Sequence, residues 1–443
     1  MFDFIQLDMD CGTALWQQIY EQVVRAVDAG GVAPGTKIPS IRELAEGLCV
    51  SRSPVENAYT RLQLDGYIAS RARSGYYAAD RRDFREPEVH EAERAPCDVE
   101  YDLSCGRAFA DDADIAAWRR CLRAVLSRRD EITSRGDPCG EAELRAELAA
   151  YAYRARGVQC TACDIFVALG TQQLVAMLLR ATRRGGRAVI ESPGDERTER
   201  VMRDFGWQVR VAREGECPES AMRGADIYVS TAPRRPHEAA AQRMARRREI
   251  AESARSSGCL VVEDDRSGEL CYVSRELPAI QPLARDEVVY IADFSLTLLP
   301  SVRISYMAVP PSLAKLCEGA ARAYDAAPSK VEQMALALYI RAGGLDRRIR
   351  RCRRAYARRC RLFADALRRT FGARCRWRLI EQSAAFSLAT CRARELQAAA
   401  REHGVRVDAE RSSVLISFAS LREEDFAPAL ERLRIAWEIR PRH

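Results

Sequence analysis

The first eighty residues repeat their apolar positions at helical spacing and then at strand spacing. Leu15, Ile19, Val23 and Val27 recur every four residues and predict a helix over 14–28. Gly30-Gly31 ends it, and Pro34-Gly35 makes a turn. A short helix is predicted at 41–48 behind Ser40, and Cys49-Val-Ser51 supplies a tight turn. A second helix follows over about 53–64, with Val55, Ala58, Tyr59 and Leu62 on its inner face. Its cap is open between two serines. Ser53 and Glu56 have capping-box spacing with Pro54 between them, and Ser51 is the other choice. Residues 67–70 and 75–78 then read as two strands of a wing around Arg71-Ala-Arg-Ser74.

Residues 80–96 are charged and poor in apolar positions, which predicts a flexible tether. From about Glu100 short apolar runs take over: Ile165-Phe-Val-Ala168, Ala188-Val-Ile190, Ile227-Tyr-Val229, Cys259-Leu-Val-Val262 and Val288-Val-Tyr-Ile291. Long amphipathic helices separate many of them, so the expected class is α/β, a mostly parallel sheet with helices on both faces. The organisation predicted is a helix-turn-helix domain at 1–79, a linker at 80–99 and the α/β domain at 100–443. Near its end, 343–378 is a helical stretch in which Ile349, Tyr356, Leu362, Phe363 and Leu367 form an apolar stripe. Arg347, Arg348, Arg350, Arg351, Arg353, Arg354, Arg358, Arg359 and Arg361 give it a basic outer face. That face reads either as solvated surface or as a supplementary surface for DNA or the linker.

Composition narrows the class further. The chain has 443 residues, 47% hydrophobic and 30% charged, room for two or three domains with a sizeable core. No apolar run approaches the roughly 18–20 residues of a membrane span, and the acidic N-terminus lacks a secretory pattern; a cytoplasmic protein with no membrane partner is expected. The sixteen cysteines are scattered, so reduced thiols are expected. Cys160-Thr-Ala-Cys163 lacks the second pair that a closed zinc site needs, and no metal is expected.

The front domain resembles the GntR-type DNA-binding domain. The residues that carry the resemblance are Pro39-Ser-Ile-Arg-Glu-Leu-Ala45, Val50-Ser-Arg-Ser-Pro-Val55, Ala58-Tyr59, Leu62, Gly66-Tyr-Ile68 and Ser74-Gly-Tyr76. In a helix-turn-helix the second helix presents its N-terminal residues to base edges, which puts Arg52 in reach of guanine. The resemblance makes Arg42 a DNA contact; the alternative is an intrahelical pair with Glu46. Ser40, Ser51 and Ser53 are expected near phosphates. Arg71, Arg73 and Gly75 belong to the wing, where the two arginines read as minor-groove or phosphate contacts or as solvated turn residues. Residues 1–80 hold seven basic and ten acidic side chains, so the phosphate-driven part of binding should be small.

The remainder resembles the MocR type of GntR regulator, a winged helix joined to a fold-type I aminotransferase-like domain. Tyr101-Asp-Leu-Ser104, Leu144-Arg-Ala-Glu-Leu148, Arg154-Ala-Arg-Gly-Val158, Gly170-Thr-Gln-Gln173, Glu191-Ser-Pro-Gly194, Val262-Glu-Asp-Asp265 and Phe294 to Tyr306 carry it. By this resemblance Gly170, Thr171, Gln172 and Arg303 would bind a pyridoxal-phosphate phosphate, and Asp264 would face the pyridine nitrogen. Other positions depart from the pattern. Leu296 stands where the Schiff-base lysine belongs, Asp195 where an aromatic ring does, Arg266 where a tyrosine does, and Leu415 where a carboxylate-binding arginine does. Thr231-Ala-Pro-Arg-Arg-Pro236 lacks the usual substrate loop. Leucine has no nucleophilic nitrogen, so no catalytic residue and no covalent cofactor are expected. Asp195 and Arg266 together suggest an internal salt bridge or a different ligand.

The expectation is a transcriptional regulator that binds operator DNA as a head-to-tail homodimer. Its effector domain would take pyridoxal phosphate or another phosphate-bearing ligand noncovalently, or serve only as a scaffold. The rival is a pyridoxal-phosphate aminotransferase with a DNA-binding appendage. That enzyme would need Lys315 or Lys330 as its amine, since the only other lysine is Lys37.

Overall fold

The computed structural model describes residues 4–9, 12–71, 74–79, 99–182, 185–192, 194–231, 238–266, 268–294, 296–324, 327–372, 375–410, 412–419 and 421–438. Arg73, nearly all of the tether and the segment 232–236 lie outside the described residues. The chain forms two compact units, Met1–Pro96 and Cys97–His443.

The first unit contains α1 (Leu15–Asp28), β1 (Lys37–Ile38), α2 (Ile41–Gly47), α3 (Arg52–Leu64), β2 (Ile68–Arg71) and β3 (Gly75–Ala78). Ile19, Val23, Leu44, Val55, Ala58, Tyr59, Leu62 and Ile68 are buried together, the faces that the spacing predicts. Ser40 caps α2 reciprocally: its hydroxyl accepts from the Glu43 amide at 3.2 Å, and its own amide donates to Oε2 of Glu43 at 2.8 Å. The capping box at Ser53 and Glu56 does not form, because α3 starts at Arg52 and Ser51 holds the extended cap conformation. Between the helices Cys49 turns the chain at φ +53°, a left-handed conformation that favours glycine. The wing is β2 and β3 antiparallel, Arg71 opposite Gly75. Two-residue β1 adds a third strand against β3 that periodicity could not show.

The second unit begins with β4 (Tyr101–Asp102), α4 (Asp112–Leu126), α5 (Arg129–Ile132) and α6 (Ala142–Arg156). Then β5 (Ile165–Ala168), α7 (Thr171–Thr182), β6 (Arg187–Ile190), α8 (Glu196–Asp204), β7 (Gln208–Val211), α9 (Pro218–Met222), β8 (Ile227–Ser230), α10 (Ala240–Ser257), β9 (Leu260–Asp264), β10 (Val288–Asp293) and β11 (Ser305–Ala308) build the main sheet and its cover. The strand order is β5-β11-β10-β9-β8-β6-β7, parallel except for β11, which runs against both neighbours. Strand alternation splits the apolar runs between two cores. Ile165 and Val167 pack with α6 on one face, Phe166 and Ala168 with α7 on the other.

The chain continues through α11 (Pro311–Tyr324), α12 (Lys330–Arg341) and the 28-residue α13 (Gly344–Phe371). It ends in β12 (Trp377–Ile380), β13 (Ala385–Ala389), α14 (Ala393–Glu402), β14 (Val405–Arg406), β15 (Asp408–Glu410), β16 (Ser413–Ser417) and α15 (Phe426–Ala436). Here α13 and α15 bury a four-stranded antiparallel sheet, β12-β13-β16-β15. The sheet makes the smaller lobe of this unit. Among the described residues, no helix is long and apolar enough to cross a membrane.

Candidate functional site

In the first unit Arg52 is the first residue of α3 and lies exposed, with Ser51 and Ser53 exposed on either side. That is where a recognition helix meets base edges. Arg42, in the first turn of α2, donates from Nε to Oε1 of Glu46 at 2.9 Å, so of its two alternatives the intrahelical pair is the one formed. Both side chains are largely exposed, and such a pair contributes only about 0.3–0.5 kcal/mol. It cannot hold the guanidinium away from a phosphate. At the wing the Arg71 guanidinium lies 4.6 Å from the centre of the Tyr77 ring, whose hydroxyl is 2.7 Å from Oγ of Ser74. Gly75 turns the chain at φ +103°, which a side chain would strain.

In the second unit the residues singled out from the sequence gather at the carboxyl ends of the parallel strands, where open α/β sheets place their ligands. Gly170 and Thr171 follow β5 and begin α7, Thr171 buried. A Cβ built on Gly170 would stand 3.6 Å from Oε1 of Gln172 and 3.7 Å from an amino nitrogen of Arg303, so those three side-chain positions share one corner. Helix start and guanidinium together suit an anion.

At the end of β9 the cleft is occupied from within. Arg266 donates to both oxygens of Asp264, Nε to Oδ1 and Nη2 to Oδ2, each at 2.7 Å. The same Nη2 reaches Oδ2 of Asp195, also at 2.7 Å. Asp195 in turn caps α8, accepting from the Arg197 amide at 3.2 Å and the Thr198 hydroxyl at 3.0 Å. Burial opposes the charge on Arg266, but the Asp264 and Asp195 carboxylates, with Asp293 beyond, outweigh it and raise its pKa. Asp264, expected to face a pyridine nitrogen, therefore has both oxygens on a guanidinium, and the pair suggested by Asp195 and Arg266 is a bridge of three.

Leu296 is buried among Leu103, Leu270, Tyr356 and Phe418, in the core of the smaller lobe. Arg348 fastens the following loop, with Nε donating to the Thr297 carbonyl at 2.7 Å and Nη2 to the Phe109 carbonyl at 2.8 Å, while it pairs with Asp114. Arg348 is fully buried, and Arg359 is buried too, donating to the Phe418 carbonyl at 2.9 Å. The basic face expected along this helix is therefore narrower than the arginine count implies. Leu415 is buried in β16. Lys330 donates to Oγ of Ser134 at 2.7 Å and lies 3.9 Å from Glu141, and Lys315 is exposed on α11.

Two carboxylates that the sequence reading passed over lie behind the sheet. Within Val262-Glu-Asp-Asp265 strand alternation sends Asp264 to the cleft and Glu263 and Asp265 to the opposite side. Asp265 is paired with Arg156 at 2.6 Å and accepts from the Tyr290 hydroxyl at 2.8 Å. Glu263 accepts from the Ile280 amide at 2.8 Å. Burial, then the neighbouring Asp265 charge, pushes both Glu263 and Glu269 up to about 7. Alternation within the quoted motif was the available signal. Among the described residues, no group of three or more His, Cys, Asp or Glu is placed to hold a metal ion.

Residues 15–77 match the family of bacterial regulatory proteins called gntR. The chain is similar over nearly its whole length to the HTH-type transcriptional regulator YhdI of Bacillus subtilis, 28% identical over 97% of each protein. It is also 28% identical to the probable rhizopine catabolism regulatory protein MocR of Rhizobium meliloti, over 82% of this chain and 79% of that one. Together these likenesses support a GntR regulator of the MocR type. A solved aspartate aminotransferase from Thermus thermophilus (tetra mutant 1) superposes with a TM-score of 0.65 at 20% identity, covering 76% of this chain and 96% of that one. At that identity the likeness establishes the aminotransferase fold of this regulator's second unit and leaves its chemistry to be argued from its own residues.

Proposed function

We propose that this MocR-type chain is a cytoplasmic, sequence-specific transcription regulator. Residues 1–79 read operator DNA, 80–99 tether, and 100–443 form a dimerisation and effector unit that makes no Schiff base. Arg266 carries this conclusion, because it satisfies both oxygens of Asp264 and so takes the place a protonated pyridine would need. Leu296, sunk in an apolar cluster, offers no amine. A pyridoxal ring does not fit the cleft as it stands.

The remaining polar corner, Gly170, Thr171, Gln172 and Arg303, suits the phosphate of a noncovalent effector that brings no ring cation of its own. A head-to-tail homodimer would set two winged helices on paired half-sites. Incubating the protein with pyridoxal phosphate and borohydride tests the chemistry: no stoichiometric reduced adduct is expected, and one trapped on Lys315 or Lys330 would restore the enzyme reading. Thermal shift with phosphate-bearing ligands separates a sensor from a scaffold, since a ligand that binds only the folded state raises its melting temperature.

A further inference from the structure

The DNA-reading end of this protein is not where its positive charge lies. Residues 1–80 carry seven basic and ten acidic side chains, a net of −3, while the whole chain carries +7, which leaves +10 for the rest. Helix α13 alone holds eleven arginines against two aspartates, a net of +9. Its inner arginines are committed: Arg348 and Arg359 to backbone carbonyls, Arg353 to Glu276 and Arg351 to Asp114.

The outer ones form a pattern. Arg347, Arg350, Arg354, Arg358 and Arg361 are all exposed and follow one another at intervals of three and four, which lays them along a single face. Arg358 pairs with Glu423 at 2.8 Å and Arg347 donates to the Ala342 carbonyl at 2.8 Å. Arg350, Arg354 and Arg361 have no acidic partner among the described residues. The next exposed acid on that face, Asp365, is taken by Arg368. Solvated faces ordinarily mix both signs, because like charges one turn apart repel.

We propose that this outer stripe of α13 is a second DNA-contacting surface, which takes the phosphate backbone of duplex flanking the operator. At about 1.5 Å per residue the stripe from Arg347 to Arg361 is roughly 21 Å long, the length of about six base pairs. Guanidinium forks suit phosphate oxygens and read no sequence, so the stripe adds affinity without selectivity. The inference rests on operator binding by the first unit.

The test uses the full chain and the triple variant Arg350→Gln, Arg354→Gln, Arg361→Gln. Each is titrated at several salt concentrations with an operator duplex trimmed to its footprint and with the same operator carrying long flanks. For each stripe engaged, three phosphate contacts steepen the salt slope by about 2.7, so per stripe the wild-type affinity for the long duplex should fall about 40-fold more than for the short one between 50 and 200 mM salt. The triple variant should bind both duplexes alike, with the wild-type affinity for the short one and an unchanged melting temperature. Equal wild-type affinity and slope on the two duplexes, or a flank effect that survives in the variant, overturns the proposal. So does wild-type binding to anionic phosphatidylserine vesicles without a flank effect, which would assign the stripe to a membrane surface. A wild-type chain that binds neither duplex overturns the functional reading itself.

Discussion

Arg266 holds Asp264 through two hydrogen bonds of 2.7 Å and Asp195 through a third. One guanidinium thus serves carboxylates from the end of β9 and the start of α8, which pairs both of them without any ligand. The side chain of Arg266 is about 20% exposed, Asp264 7% and Asp195 14%, so the cluster is largely but not wholly withdrawn from water.

Replacing Arg266 with alanine should leave two carboxylates facing each other with no cation between them. Removing one partner of a buried pair costs about 3–5 kcal/mol, and partial exposure puts this case near the lower figure. Calorimetry should show a lower melting temperature for the second unit. Pyridoxamine phosphate, which brings a ring nitrogen that can be protonated and needs no lysine, should recover part of the loss in the variant and none in the wild type. Equal responses of the two proteins would remove Arg266 from the cleft's ligand choice.

Arg52→Ala should weaken operator selectivity and leave the fold intact. An arginine forked onto guanine contributes about 1–3 kcal/mol of discrimination. Competition between operator and a mutated operator measures it directly; undiminished discrimination would refute the assignment of α3 to the groove.

Glu269 lies fully inside the second unit, and burial raises its carboxyl to about 7. An acid whose folded pKa exceeds its unfolded value of about 4.3 imposes no penalty while protonated in both states. The penalty develops as pH rises from about 4.3 and is complete above about 7. Glu269→Gln should therefore melt higher than wild type at pH 8 and level with it near pH 4. A constant difference across that range would point to packing instead of titration.

Cys49 turns the chain between α2 and α3 at φ +53°. Left-handed backbone costs a non-glycine residue about 1–2 kcal/mol, partly offset by the extra entropy glycine loses on folding. Cys49→Gly should raise the first unit's unfolding free energy by about 0.5–1 kcal/mol in urea titration. A loss of stability would show that the exposed thiol contributes contacts the turn needs.

Legibility followed the range of the interactions. The first unit's helices could be read because each buries one side, so Ile19, Val23, Val55 and Leu62 repeat at the helical period. The central strands could be read because both their faces are covered, which makes β5, β6, β8, β9 and β10 nearly continuous apolar runs. Edge strand β7, Gln-Val-Arg-Val and largely exposed, gave no such run. Two-residue β1 was too short to show a period.

The amino-acid order alone determined the chemistry available to this protein: a helix-turn-helix headed by Arg52, and a leucine at 296 in a motif that resembles one built around lysine. What it left open were partnerships between residues far apart in the chain. Arg348 could point to solvent or into the core, and Arg266 could meet one carboxylate or two. Those choices were decided only when β9 and the start of α8 came together, and when α13 laid Arg348 against the Thr297 carbonyl 51 residues earlier. Local periodicity records which side of an element is buried, but a charge finds its partner through space.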